Sequence, residues 1–233
     1  MQLNSKALYN FLRGKGYKYF FHANSVTTAC TFIEQKGLLS RGAVERNGLI
    51  QTEQSSDDID KTFNVWDDVF LDIVDLHGYF PRQNQYGPVC FVLDIKLLLN
   101  PEFSNIWITK DNPIYWTANM DDRKKYYSSV QEYIDEFDAN IANKSIQKKM
   151  FTIRKPHKEL SFEKYLVKII LDNPEVAVYG RNLYNEAKIK IEDSLNNSGF
   201  NINLLETRSC SGCFCVGNYF DEVEVSDLEK LFL

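Results

Sequence analysis

Val89-Cys90-Phe91-Val92-Leu93-Asp94-Ile95, introduced by Tyr86-Gly87-Pro88, is a nearly continuous apolar run behind a turn signal. A short run of this kind predicts a strand buried on both faces near the centre of a sheet. Outward from it, Asn105-Ile106-Trp107-Ile108-Thr109 reads as another strand, as do residues 17–22. Residues 3–13 (Leu3, Leu8, Phe11, Leu12) read as an amphipathic helix ended by Gly14 and Gly16. Residues 26–35 read as a helix with Gly37 in the C-terminal cap position. Val130, Ile134, Phe137 and Ile141 recur at helical spacing.

Polar residues 47–60 read as a loop. The spacing of Val65, Trp66, Val69, Phe70, Ile73 and Val74 predicts a helix over 63–76, with Asp67, Asp68, Asp72 and Asp75 on its solvated face. Further helices are expected over 162–171 and 183–195. Strands are expected over 175–179, 201–205 and 213–219, and a terminal strand or helix over 223–233. With no linker or repeat, residues 1–233 read as one mixed α+β domain.

A hydrophobic share of 44% with 25% charged residues supports a sizeable core. Thirteen Tyr and 16 Phe read first as large core side chains and second as stacking platforms. A net charge of −5 excludes a global field that attracts nucleic acid, so a phosphate-binding surface must be local. Met1-Gln2-Leu3-Asn4-Ser5-Lys6 has no basic region followed by an apolar core, and no apolar run approaches the ~18 residues of a membrane span. A cytoplasmic protein without membrane contact is the expectation.

Cys210, Cys213 and Cys215 form C-x-x-C-x-C, but no second pair follows, and His157 is the distant candidate for a fourth ligand. Reduced thiols in a turn and strand, with no metal, is the expectation. Residues 144–158 carry Lys144, Lys148, Lys149, Arg154, Lys155 and Lys158 without an acid, which suits either a solvated loop or a phosphate backbone.

Two residue types suit cleavage of a glycosidic bond to ribose. A carboxylate can support an oxocarbenium-like sugar, and a neutral imidazole can hold a hydroxyl without adding charge. Glu175 in Asp172-Asn173-Pro174-Glu175-Val176-Ala177-Val178 and His22 in Tyr19-Phe20-Phe21-His22-Ala23-Asn24 are the candidates.

The order of short motifs resembles the DarT-like family of ADP-ribosyltransferase toxins, which modify nucleic acid bases. Phe21-His22-Ala23-Asn24 with Gly37-Leu38-Leu39-Ser40-Arg41 is similar to the family's His strand, helix and Gly-Leu-Leu turn. Tyr79-Phe80-Pro81-Arg82, Trp107-Ile108-Thr109-Lys110-Asp111-Asn112 and Pro174-Glu175-Val176-Ala177-Val178 are similar to its later segments. The resemblance covers about residues 19–180. It implies a single-domain ADP-ribosyltransferase-like fold with central mixed or antiparallel sheets flanked by helices. It also implies NAD as co-substrate, Glu175 as the catalytic glutamate, and cofactor contacts from His22, Asn24, Gly37, Leu38 and Arg41.

The chain departs from the family in having no arginine from Asn47 to Pro81, which leaves the arginine role to Arg41, Arg46 or Arg82, or leaves it unfilled. Thr27, Thr28 and Thr31 stand where the family carries an asparagine. In this light Lys148, Lys149, Arg154 and Lys155 would touch an RNA or single-stranded DNA acceptor, and a neutralising antitoxin would be the cellular partner of a toxin or phage-defence effector. A protein acceptor and a non-catalytic interaction protein are the alternatives.

Overall fold

The computed structural model describes residues 1–79, 86–103, 106–140, 142, 144–221 and 223–233. The chain opens with α1 (Ser5–Gly14), β1 (Tyr19–Asn24), α2 (Val26–Glu34), β2 (Gly37–Leu38), α3 (Arg41–Arg46), α4 (Asp57–Thr62), β3 (Val69–Leu71), α5 (Leu76–Tyr79) and β4 (Val89–Asp94). It continues through β5 (Ile106–Ile108), α6 (Asp122–Lys125), α7 (Val130–Ala139), β6 (Phe151–Ile153), β7 (Leu160–Ser161), α8 (Phe162–Tyr165) and β8 (Leu166–Asn173). It closes with β9 (Ala177–Val178), β10 (Arg181–Asn182), α9 (Leu183–Asn197), β11 (Leu205–Ser209), α10 (Cys215–Asp221) and α11 (Val225–Phe232). The architecture is mixed α+β. Among the described residues no helix is long and apolar enough to cross a membrane.

The apolar run after Pro88 is β4, an inner strand of the sheet β1-β4-β8-β11. The pairs β1–β4 and β4–β8 are antiparallel, and β8 with β11 is parallel. Val89, Phe91 and Leu93 enter the main core, while Cys90 and Val92 join Ile170 and Phe21 on the opposite face. Burial on both faces explains why this strand reads as a continuous apolar run. Phe32, Phe91 and Phe162 interlock across the core, with Phe91 and Phe162 stacked at 4.9 Å. Helix α2 packs against α9, which also meets β8, and α11 lies against both helices.

A second sheet, ordered β3-β6-β5 and antiparallel throughout, stands beside the first. The two are joined where Phe21 and Asp72 exchange backbone hydrogen bonds of 2.8 and 2.9 Å.

Five local expectations differ from the structure. Residues 63–76 are not one helix: they contain the strand β3 and the start of α5. Their four-residue spacing fits a helix, but four is also an even number, so the strand period of two satisfies it. Val69, Leu71 and Ile73 point to the core, and Asp68, Phe70 and Asp72 take the other face. Residues 162–171 form one helical turn and then β8, where Ile169 and Leu171 alternate against Ile170. Residues 201–205 are a 3-10 turn leading into β11, and 213–219 are mostly the helix α10. Gly37 is not a cap. Lys36 takes the left-handed φ of 57° after α2, and Gly37 lies in β2, where a Cβ would stand 2.8 Å from the Leu160 carbonyl.

Candidate functional site

A cavity of about 100 Å³ opens where β1, β3, α3 and the 54–60 segment meet. His22, Asn24, Arg41, Asp60, Asp68 and Asp72 supply its polar lining; Trp66, Phe70 and Tyr86 supply aromatic walls.

Local folding positions these groups. Asn24 ends β1 and accepts the Ser25 N–H at 3.0 Å, and Ser25 caps α2 through Thr28. Ser40 caps α3 by accepting the Ala43 N–H at 3.1 Å, which starts the helix at Arg41. The threonines of α2 hold the 50–52 segment over the site: Thr31 Oγ1 donates to the Ile50 carbonyl at 2.6 Å, and the Thr52 N–H donates to Thr28 Oγ1 at 2.9 Å.

His22 Nδ1 donates to the Phe70 carbonyl at 2.8 Å, which leaves Nε2 as an acceptor. That nitrogen is buried without a partner among the described residues. Burial depresses the imidazole pKa, Arg41 adds to the effect, and the Phe70 bond opposes it. The ring is neutral at pH 7.

Arg41 donates from one Nη to Asp57 Oδ2 at 2.6 Å and to the Thr52 carbonyl at 3.0 Å, and it lies 5.1 Å over Trp66. Its Nε and other Nη are buried without partners among the described residues. The Arg41–Asp57 pair is mostly buried, at 14% and 16% side-chain exposure. Arg41→Ala is expected to cost about 3 kcal/mol by stranding Asp57. In a double-mutant cycle with Asp57→Ala, the two losses should fall short of additivity by about 1–3 kcal/mol, measured by denaturant unfolding.

Three carboxyls face the cavity with raised pKa values. Burial, with Asp57 nearby, lifts Asp60 to about 6. Burial lifts Asp68 to about 6 against the pull of Arg154. Burial, with Asp75 nearby, lifts Asp72 to about 7. The sequence reading placed Asp68 and Asp72 on a solvated helix face. The alternation of β3 instead turns them inward, and that period was the signal available in the sequence.

Of the residues implied by the resemblance, His22, Asn24 and Arg41 converge on this cavity. Gly37 and Leu38 pair with β7, and Leu38 is wholly buried in the core; neither lines the cavity. Arg46 pairs with Asp67 at the surface. Arg82 lies outside the described residues. Glu175 is not carried by a strand. It sits in the turn before β9 at φ 59°, exposed, its N–H donating to Asn173 Oδ1 at 3.1 Å, and it does not line the cavity.

The basic segment 144–158 is no free loop. Phe151, Thr152 and Ile153 are buried in β6. Arg154 Nε donates to Asp68 Oδ2 at 2.9 Å, and its guanidinium stacks 5.0 Å from Trp107. Lys149 donates to the Lys110 carbonyl near Glu136 and Asp111. Lys155 is exposed and reaches Asn64 Oδ1 at 3.1 Å. The Lys148 side chain lies outside the described residues. Much of this positive charge therefore clamps β6 to neighbouring loops.

His157 is exposed, and the three clustered cysteines meet a different histidine, His77, away from the cavity. No protein-family model matches the chain, and neither a curated protein nor a solved structure matches it significantly.

Proposed function

We propose that the chain cleaves the nicotinamide–ribose bond of NAD and transfers ADP-ribose to an acceptor, with Asp72 as the carboxylate beside the reacting ribose. The observation that carries this reading is the buried, partnerless Nε2 of a neutral His22 beside the unsatisfied N–H groups of Arg41. An acceptor nitrogen and a fork of donors in one small cavity suit a sugar hydroxyl pair, since each buried polar group gains a partner on binding. The cavity is too small for a whole dinucleotide, so the adenosine end would lie outside it.

Departure of nicotinamide leaves positive charge on the ribose. Carboxylates already fixed around that position stabilise it without reorganising. The pyridinium of the intact co-substrate carries the same sign, so Asp60, Asp68 and Asp72 favour the charge before and after cleavage. Aromatic walls from Trp66, Phe70 and Tyr86 offer faces for the planar ring.

The resemblance supplies the acceptor, a base of RNA or single-stranded DNA, and with it the role of toxin and the antitoxin partner. A protein acceptor is the second reading, and the internal pairing of Lys149, Arg154 and Lys158 favours it.

The test incubates the protein with labelled NAD and, separately, RNA, single-stranded DNA and lysate protein. The expected result is label on nucleic acid, lost in Asp72→Asn and retained within about threefold in Glu175→Gln. Loss in Glu175→Gln alone would return the catalytic role to Glu175. Label on protein alone would establish the second reading, and no label on anything would end both. Binding to a labelled oligonucleotide should weaken as salt rises, with a log–log slope of about −0.7 for each phosphate contacted.

A further inference from the structure

The turn between β11 and α10 gathers three thiols. The Cys210 N–H donates to the Asn173 carbonyl at 3.1 Å, extending the β8–β11 pairing by one residue. The Cys213 N–H closes a turn onto the Cys210 carbonyl at 2.9 Å, with Gly212 between them at φ 78°. The Cys215 N–H then donates to Cys213 Sγ at 3.3 Å, an amide-to-sulfur bond that favours a thiolate. Cys210 and Cys215 are fully buried, and all three sulfurs are free of disulfides.

His77 of α5 meets this turn from the far side. Its Nδ1 donates to Asp172 Oδ2 at 2.5 Å, so Nε2 points away from the carboxylate. Cys213 Sγ lies 3.4 Å from that Nε2. The ligand atoms of His77, Cys210 and Cys215 all lie within 4.8 Å of one another.

Tetrahedral zinc, with bonds of about 2.3 Å to sulfur and 2.0 Å to nitrogen, sets its ligand atoms about 3.5–3.8 Å apart. The His77–Cys213 separation of 3.4 Å is already close to that value, and the ligand atoms of His77, Cys210 and Cys215 need to close by at most about 1 Å. A carboxylate on the far nitrogen of the histidine is the usual outer partner of a zinc-bound imidazole, because it fixes the tautomer that presents the free lone pair. Packing alone does not account for this convergence: thiols are poor partners for one another, and three of them and an imidazole fill a volume that aliphatic side chains would fill without polar cost.

We propose that His77, Cys210, Cys213 and Cys215 form a closed, four-ligand zinc site, oriented by Asp172. Three sulfurs and one nitrogen complete the tetrahedron, so no position is left for water or substrate and the site is structural. It fastens α5, the end of β8 and the β11–α10 turn together. The proposal is independent of how the cavity is read.

The test measures metal in the full chain purified under reducing conditions without chelator. About one zinc per chain is expected, retained in Cys30→Ser and Cys90→Ser and lost in Cys210→Ser, Cys213→Ser, Cys215→Ser and His77→Ala. Because a ligand variant can fail through misfolding, the wild-type protein is also exchanged with cobalt(II). Intense visible bands of tetrahedral cobalt with thiolate charge transfer in the near ultraviolet are expected, and chelation of the metal should lower the melting temperature, since binding free energy is folding free energy here. Zinc well below one equivalent together with no cobalt spectrum would overturn the site. So would a disulfide between any two of the three cysteines found by mass spectrometry, or full zinc occupancy in His77→Ala.

Discussion

Asp72→Asn is expected to lower NAD turnover at least ~100-fold, the usual scale for removing a positioned carboxylate from a charged transition state. The side chain is held in place from behind, because the Asp72 backbone both donates to and accepts from Phe21. Asparagine keeps the shape and removes the charge, so the loss should fall on kcat more than on KM. Burial, with Asp75 nearby, raises this carboxyl to about 7. The ionised form supports the ribose cation, so kcat/KM should climb through an apparent pKa of about 7 and lose that limb in the variant.

Stability should move the other way. A carboxyl whose folded pKa lies above its ordinary value of 3.8 binds its proton more tightly when folded, so its ionisation destabilises the fold as pH rises from about 4 through about 7. Asp72→Asn should therefore melt higher than wild type at pH 8 and level with it at pH 4. Lower melting at both values would show a structural role and remove the catalytic interpretation.

Gly87→Ala is expected to cost on the order of 3 kcal/mol or more and to abolish ligand binding. Gly87 has φ 140°, and a Cβ there would stand 2.2 Å from the Asn24 carbonyl oxygen and 2.4 Å from Ser25 N. All the atoms it would meet are backbone, so no side chain can swing aside. The displaced segment joins β1 to the cap of α2 and carries Asn24 into the cavity. Gly180 is the control: its φ is 79° but nothing lies within 4 Å of its Cβ position, so Gly180→Ala should cost only about 1 kcal/mol. Equal losses at the two positions, measured by urea unfolding, would show that backbone strain alone, and not the close approach, accounts for Gly87.

What the sequence discloses follows from how far each signal reaches along the chain. Strand β4 and helices α2, α7 and α9 are legible because their apolar pattern is local and their period unmistakable. Residues 63–76 mislead because a four-residue repeat belongs to both periods. Residues 162–171 mislead because a genuine helical turn at Phe162 runs straight into β8. At the cavity, His22, Asn24 and Arg41 were legible by residue type and motif order, whereas Asp68 and Asp72 depended on the period of β3. His77 was beyond reach, since 136 residues separate it from Cys213 and only the fold brings them together. The cations of 144–158 were legible as charges but not as charges already paired.

The main-chain bridge between Phe21 and Asp72 gives the domain a joint that belongs to two jobs at once. The residue that presents its carboxylate to the cavity is also the rivet between the four-stranded and three-stranded sheets. To the extent that gripping the carboxylate tightens the rivet, loosening the rivet weakens the grip by the same free energy. A ligand on that carboxylate would then be felt at the seam between the two sheets.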